Sequence, residues 1–438
     1  LETYTTVGGK TIKSLKAGWQ SMGTLNADKS NAILVAHFFS GTSHFAGKYK
    51  ADDKAAGYWD AIIGPGKAID TNKYYVVSMD TLVNLNAKDP MVTTTGPASV
   101  NPDTGKPYAM GFPVVTIRDF VNVQKALVDR LGIKKLHAVM GASMGALQAY
   151  EWAASYPDMV SRVIPVIGAG ESDGYLIAWL DMWAAPIKVD QNWKGGDYYG
   201  GPEPLAGLAA ALKIVTLHAQ HWAWTNSAPF GRKWAAADKN PADCMMDCRY
   251  AIEAVLDGAG RARAAISDAN HFLYLVKANQ IFAAGGNVEE GLKRINAPVL
   301  LITTDDDLVF HVDGVKRTAD LIKSDGTPLE HVKIKGGRGH LDGVLHIGQA
   351  AAQITAFDGK HIFPERRVFI HEEQTGLRLT AQALAIVVDG EAAGDGEKPC
   401  DEAAFLWVVG IGFVPQTHEG ILRDFFGGHL VIEDTVGH

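Results

Sequence analysis

The residue pattern with the clearest chemical use in this chain is a serine held between glycines, Gly141-Ala142-Ser143-Met144-Gly145. It fits G-x-S-x-G, which in a chain with 47 glycines can arise by chance, so its setting has to decide. The apolar run Leu136–Met140 leads straight into it, and a helical pattern from Ala146 to Ala154 leads out, ending before Tyr156-Pro157. Strand, tight turn and helix are what a nucleophile elbow requires. The flanking residues must be small, and the turn lifts the serine Oγ clear at the end of a sheet. The helix N-terminus adds positive potential there. The competing reading is an inert serine in a glycine-rich turn.

A serine hydroxyl attacks only when a base takes its proton, and the base needs a third group to orient it. In this arrangement the partners follow in the order Ser, acid, His. The strand-like run Val299–Ile302 is followed by Thr303-Thr304-Asp305-Asp306-Asp307, and spacing does not choose among the three carboxylates. At least two of them belong to a solvated turn or a helix cap. The expected base is His340, which follows the strand-like stretch from Glu330 to Lys335. Gly336, Gly337 and Gly339 let its loop reach back over Ser143. Among 15 histidines, His346 and His311 are the competitors. A tetrahedral oxyanion needs two backbone N–H donors. One is expected from Met144 and the other from the loop after an early strand, here His37-Phe38-Phe39-Ser40-Gly41. That loop also reads as a turn with two buried aromatics, and both readings hold together because only backbone is used.

The elements that must position these groups are legible as well. Ala32–Ala36, Tyr74–Val77, Leu136–Met140 and Val299–Ile302 are short continuous apolar runs. Runs of that kind with helices between them predict a parallel sheet covered on both faces. Helical spacing runs from Phe120 to Leu131, from Leu205 to Ile214 and from His271 to Phe282. The expected fold is therefore an α/β-hydrolase core in two parts, residues 1–168 and 297–357, with a mostly parallel sheet. A helical cap, 169–296, is inserted between them. Beyond it, Arg367–Ile370, Ala385–Val388 and Phe405–Val409 predict a β-rich C-terminal appendage, 358–438, of unassigned role.

Composition closes off other classes. The chain has 438 residues, 47% hydrophobic and 21% charged, as in a packed globular protein. A net charge of -8 offers no attraction for nucleic acid or an anionic membrane, and no apolar run is long enough to span one. Cys244 and Cys248, four apart, would share a face if helical. They are expected to be ordinary thiols, with a disulfide only in an exported protein, and no metal ligands gather near them.

Further blocks carry a resemblance. His37–Gly41 with Ser43-His44-Phe45-Ala46-Gly47, and Gly57-Tyr58-Trp59-Asp60 with Ile63 to Thr71, are two of them. Thr95-Gly96-Pro97, Asn101 to Tyr108, Phe112-Pro113 and Thr116-Ile117-Arg118-Asp119 follow. The cap adds Asp190, Trp193, Asp268-Ala269-Asn270 and Tyr274-Leu275. Together they resemble the homoserine O-acetyltransferase family of α/β-hydrolases over nearly all of residues 1–357. The resemblance implies that Asp307, two residues before Val309-Phe310, is the acid and that Phe39 supplies the second oxyanion N–H. It also implies a homodimer and a cytoplasmic location. The start at Leu1 rather than Met predicts that something upstream was removed, and a signal peptide would instead mean export.

Departures from the family bear on the substrate. Members that acetylate homoserine carry Gly-His-Asp at the base, the Asp binding the amino group, and an Arg and a Tyr-Arg pair in the cap. Here Leu341 follows His340, Asp342 is displaced by one, and the stretch Gly207 to Gln220 lacks those charged groups. A site built to pair a zwitterion cannot lose its charged partners and keep its specificity. The expected activity is hydrolysis of small acyl esters through an acyl-enzyme, with no metal or organic cofactor. The alternatives are an O-acyltransferase using acyl-CoA and an alcohol other than homoserine, and a silent binding protein on the same fold.

Overall fold

The computed structural model describes residues 1–359, so the appendage expected beyond that point lies outside the described residues. Its main sheet has seven strands: β1 (Trp19–Met22), β2 (Ala32–Ala36), β3 (Tyr75–Met79), β4 (Ala138–Ala142), β5 (Val163–Val166), β6 (Val299–Thr303) and β7 (Leu329–Lys333). Their order is β7-β6-β5-β4-β2-β3-β1. All neighbours are parallel except β1, which pairs antiparallel with β3 through Trp19 opposite Met79.

Every residue of β2 through β6 is buried, which explains why these strands are almost entirely apolar, with Ser78 in β3 and Thr303 ending β6 as the exceptions. The edge strand β7 is partly exposed and carries Glu330, His331 and Lys333. The other edge, β1, has no apolar run, and only pairing to β3 makes it a strand. The pleat of β2 divides the core: Ala32 and Leu34 join one apolar cluster, Ile33 and Val35 the other. Each fully buried aliphatic side chain of this kind contributes roughly 1.5–3 kcal/mol.

Helix α1 (Ile117–Arg130) begins at a capping box in which Thr116 and Asp119 satisfy each other's backbone N–H groups. The same Asp119 accepts from the Tyr4 hydroxyl at 2.6 Å, fastening the N-terminal segment to the core. Helix α2 (Met144–Ser155) is buried from Met144 through Ala154, and its alanines let it lie close on the sheet.

Between β5 and β6 the chain forms α3 (Gly174–Val189), α4 (Leu205–His218), α5 (Ala251–Ile266) and α6 (Ala269–Gln280). Helix α3 packs on α4 and α6, and α4 packs on α5. Two of these helices escaped the sequence reading, for different reasons. Helix α3 contains Pro186 and is apolar almost all round, so no amphipathic stripe marks it. Helix α5 contains Gly258 and Gly260. A Cβ on Gly260 would stand 2.4 Å from the Ala209 carbonyl oxygen, so this glycine permits a close helix crossing.

The expectation of two ordinary thiols is overturned. Cys244 and Cys248 lie in an irregular segment rather than on a helix, and a disulfide joins them with their Cα atoms 5.4 Å apart. Asn240-Pro241 just upstream disfavours helix, and the irregular backbone brings the two sulfurs together.

Candidate active site

Strand β4 ends at Ala142 and α2 begins at Met144, leaving Ser143 as a one-residue turn with φ 56° and ψ -120°. This is a backbone conformation L-residues rarely adopt, and it persists because the surroundings enforce it. The Ser143 N–H donates to the Val166 carbonyl at 2.9 Å, and its own carbonyl accepts from Ala146 and Leu147. The flanking glycines are there for space. A Cβ on Gly145 would lie 2.1 Å from the Ala36 carbonyl oxygen, and one on Gly141 would lie 2.4 Å from the Gly145 oxygen.

His340 sits on a short 3-10 turn, Gly339–Leu341. Its Nε2 is 2.8 Å from Ser143 Oγ and its Nδ1 is 2.8 Å from Asp307 Oδ2. Both His340 and Asp307 are buried. The other Asp307 oxygen accepts from the backbone N–H groups of Val309 at 2.8 Å and Phe310 at 3.0 Å. Its neighbours point elsewhere: Asp305 pairs with Lys333, and both Asp305 and Asp306 are exposed. Of the three adjacent carboxylates, Asp307 is the one buried and in contact with His340. The rival histidines are engaged away from the serine, His311 with Asp173 and His346 with Asp342.

Phe39 lies in the loop after β2, its ring packed edge-on against Trp183 at 5.5 Å and Phe272 at 5.3 Å. Met144 heads α2 directly after the serine. Gln148 of α2 donates to the carbonyls of both His37 and Met144, so the loop and the helix are held together beside Ser143. His37, fully buried, donates from Nδ1 to the Phe38 carbonyl and accepts at Nε2 from the N–H of Thr81.

Several residues near the triad were not singled out for a role. Asp342 is completely buried. Its carboxylate accepts from the N–H groups of Gly336 and Arg338 and holds His346 at 2.7 Å, so it closes the loop that carries His340. His218, at the end of α4, bonds through Nε2 to the Leu308 carbonyl, one residue beyond Asp307. Arg263 is a buried cation that the sequence reading of the cap passed over. It donates to Thr216 Oγ1 and the Leu212 carbonyl, and burial pushes its pKa down to about 10. Thr216 and His218 are two positions apart on a helix, about 200° around its axis, so Arg263 and the triad lie on different sides of α4.

Burial pushes the pKa values of both His37 and His218 down to about 4 from the ordinary 6.5. The unfolded chain therefore binds protons near pH 6.5 that the folded chain refuses until near pH 4. The stability tied to these neutral rings is complete above 6.5 and is lost as pH falls through that window, roughly 2 kcal/mol per ring by pH 5. The thermal midpoint is expected to drop between pH 7 and pH 5, and the drop should be shallower in His37→Asn. A wild-type midpoint that stays level across this range would contradict it.

Residues 66–345 match the family model described as alpha/beta hydrolase fold. The homoserine O-acetyltransferase of Symbiobacterium thermophilum is 39% identical over 337 residues, 76% of this chain and 85% of that protein. This chain belongs to the homoserine O-acetyltransferase family of α/β-hydrolases. The homoserine O-acetyltransferase of Methanohalobium evestigatum is likewise 39% identical, over 78% of this chain and 68% of its own length. Among solved structures, esterase E22 superposes with a TM-score of 0.79 at 48% identity, covering 82% of this chain and 98% of its own. The homoserine O-acetyltransferase from Bacillus anthracis superposes with a TM-score of 0.78 at 36% identity, covering 82% and 96%. The proteins this chain resembles thus include transferases and an esterase, and this chain is an enzyme of the α/β-hydrolase fold.

Proposed function

We propose that this enzyme is a serine carboxylic ester hydrolase acting on small acyl esters. Ser143 Oγ attacks the ester carbonyl while His340 Nε2 takes its proton, and Asp307 holds the imidazole with Nδ1–H facing it. The N–H groups of Phe39 and Met144 stabilise the oxyanion. His340 then protonates the leaving alcohol. In the second half His340 takes a proton from water as the water attacks the acyl-enzyme, then returns that proton to Ser143 Oγ as the ester bond breaks, releasing the acid and free Ser143.

The observation that carries hydrolysis over transfer is the condition of Asp342. This second acidic side chain, on the loop that carries the base, is fully buried, with its oxygens taken by Gly336, Arg338 and His346. The residue directly after His340 is the apolar Leu341. A transferase must position its acceptor alcohol well enough to outcompete water at about 55 M, which takes the effective molarity of oriented reactants. Among the described residues, the loop that carries the base offers an ammonium-bearing acceptor no free carboxylate, because Asp342 is engaged. The greater identity to esterase E22 than to the transferases supports the same reading.

The alternative, transfer from acyl-CoA to another alcohol, shares the acyl-enzyme and differs only in what attacks it. Wild-type enzyme given acetyl-CoA, homoserine and simple acetate esters is expected to release free acetate from the esters and to form no O-acetylhomoserine, as read by mass spectrometry. O-acetylhomoserine as the main product would overturn the hydrolase reading.

A further inference from the structure

Two buried polar atoms beside the triad have no partner among the described residues: His218 Nδ1 and Trp183 Nε1. Their rings touch edge to face, centroids 5.6 Å apart. His218 also stacks flat on Trp179 at 4.1 Å, while Trp183 packs against Phe39 of the loop after β2. The pair therefore stands between that loop and the Leu308 carbonyl next to Asp307, on the side of α4 away from Arg263.

The hydrogen-bonding character of each atom follows from its neighbours. A carbonyl only accepts, so the 3.0 Å contact from His218 Nε2 to the Leu308 oxygen puts the proton on Nε2. The buried ring is neutral, which leaves Nδ1 as a bare acceptor. Trp183 Nε1 is a donor only. Buried polar groups are ordinarily satisfied, and an orphaned acceptor beside an orphaned donor calls for a group that can do both. A hydroxyl donates one hydrogen bond and accepts another. An ammonium cannot accept, and a carboxylate cannot donate.

We propose that His218 and Trp183 form a neutral subsite for a second hydroxyl on the alcohol part of the ester, so that the preferred substrate is a monoester of a diol or polyol. The assignment rests on reading the site as an esterase. It places the hydroxyl on the leaving alcohol because the Leu308 carbonyl that His218 binds belongs to the loop carrying Asp307, the partner of the base that protonates that alcohol. The hydroxyl donates a hydrogen bond to Nδ1 and accepts one from the indole N–H, with no change in charge.

The test compares ethylene glycol monoacetate with propyl acetate, which match in size but differ in the terminal hydroxyl. Wild-type kcat/KM is expected to favour the glycol ester by about tenfold or more, as for sites built to hydrogen-bond a substrate hydroxyl. His218→Phe keeps a ring on Trp179, and Trp183→Phe keeps a ring on Phe39; each should bring the ratio to within about twofold of unity. The ratio is the readout because general damage to the site slows both esters alike. A wild-type ratio near one, or a preference that survives both substitutions, overturns the subsite. If wild-type enzyme hydrolyses neither ester, the hydrolase reading fails separately. The two esters are then compared as protectors of Ser143 against a fluorophosphonate. Better protection by the glycol ester, lost in both variants, supports the subsite, and equal protection overturns it.

Discussion

Ser143→Ala should lower kcat by about a million-fold, because it removes the atom that must carry the acyl group while leaving the rest of the site in place. Alanine fits the turn, since both neighbouring glycines remain and the Ser143 backbone bonds to Val166, Ala146 and Leu147 do not involve the hydroxyl. The protein is expected to fold, to keep its thermal midpoint within a few degrees, and to take up no fluorophosphonate. Residual turnover would come from oxyanion donors and substrate positioning alone. Well-folded Ser143→Ala retaining more than about a hundredth of wild-type kcat would rule out the acyl-enzyme at this residue. The measurement is a steady-state assay on purified protein, with circular dichroism to confirm folding.

The second large effect belongs to the acid. Asp307→Asn should lower kcat by about ten-thousand-fold. Asparagine preserves the shape of the side chain, but its amide can present N–H to His340 Nδ1. That favours the tautomer with the proton on Nε2, where the base must be free to receive the proton of Ser143. Asparagine also removes the negative charge that stabilises the imidazolium. The neighbouring substitutions serve as controls, because Asp305 is engaged with Lys333 at the surface and Asp306 is exposed. Asp305→Asn and Asp306→Asn should stay close to wild type. Kinetics of the three variants side by side locate the acid, and a collapse in Asp306→Asn with Asp307→Asn near normal would refute the assignment.

How much of this was legible before the fold was known depends on how local each signal is. The tight turn at Ser143 was, because a strand–turn–helix elbow is a local device. Its strand, its two space-limited glycines and its helix are contiguous in the chain, and steric demand writes itself into residue type at Gly141 and Gly145. Four central strands, β2, β3, β4 and β6, were legible for the same reason, since burial on both faces leaves an apolar run, whereas β5, which carries Pro165, was not found. His340 was picked out by chain order and flanking glycines, and the structure places its imidazole between Ser143 and Asp307. Edge strand β1 and helices α3 and α5 were not found. Their existence depends on a neighbour, β3 for the strand and α4 for the helices, rather than on a periodic pattern of their own.

The sequence by itself determined the family, the parallel sheet, the serine and its order of partners, because each is encoded in short runs whose residue types have few other uses. Only the tertiary structure decided what side chains do across long gaps in the chain. It buried Asp307 against His340, 33 positions away, a contact that chain spacing could not assign and that only the family resemblance had pointed to. It joined Cys244 to Cys248, turned Asp342 inward as the clasp of the base loop, and set His218 and Trp183 beside each other, each with a polar atom unpartnered among the described residues. The physical reason is common to all of these. A carboxylate, an imidazole or an indole has no fixed role in sequence. Its function is set by what desolvates it and what it meets, and both come from chain segments brought together only by folding.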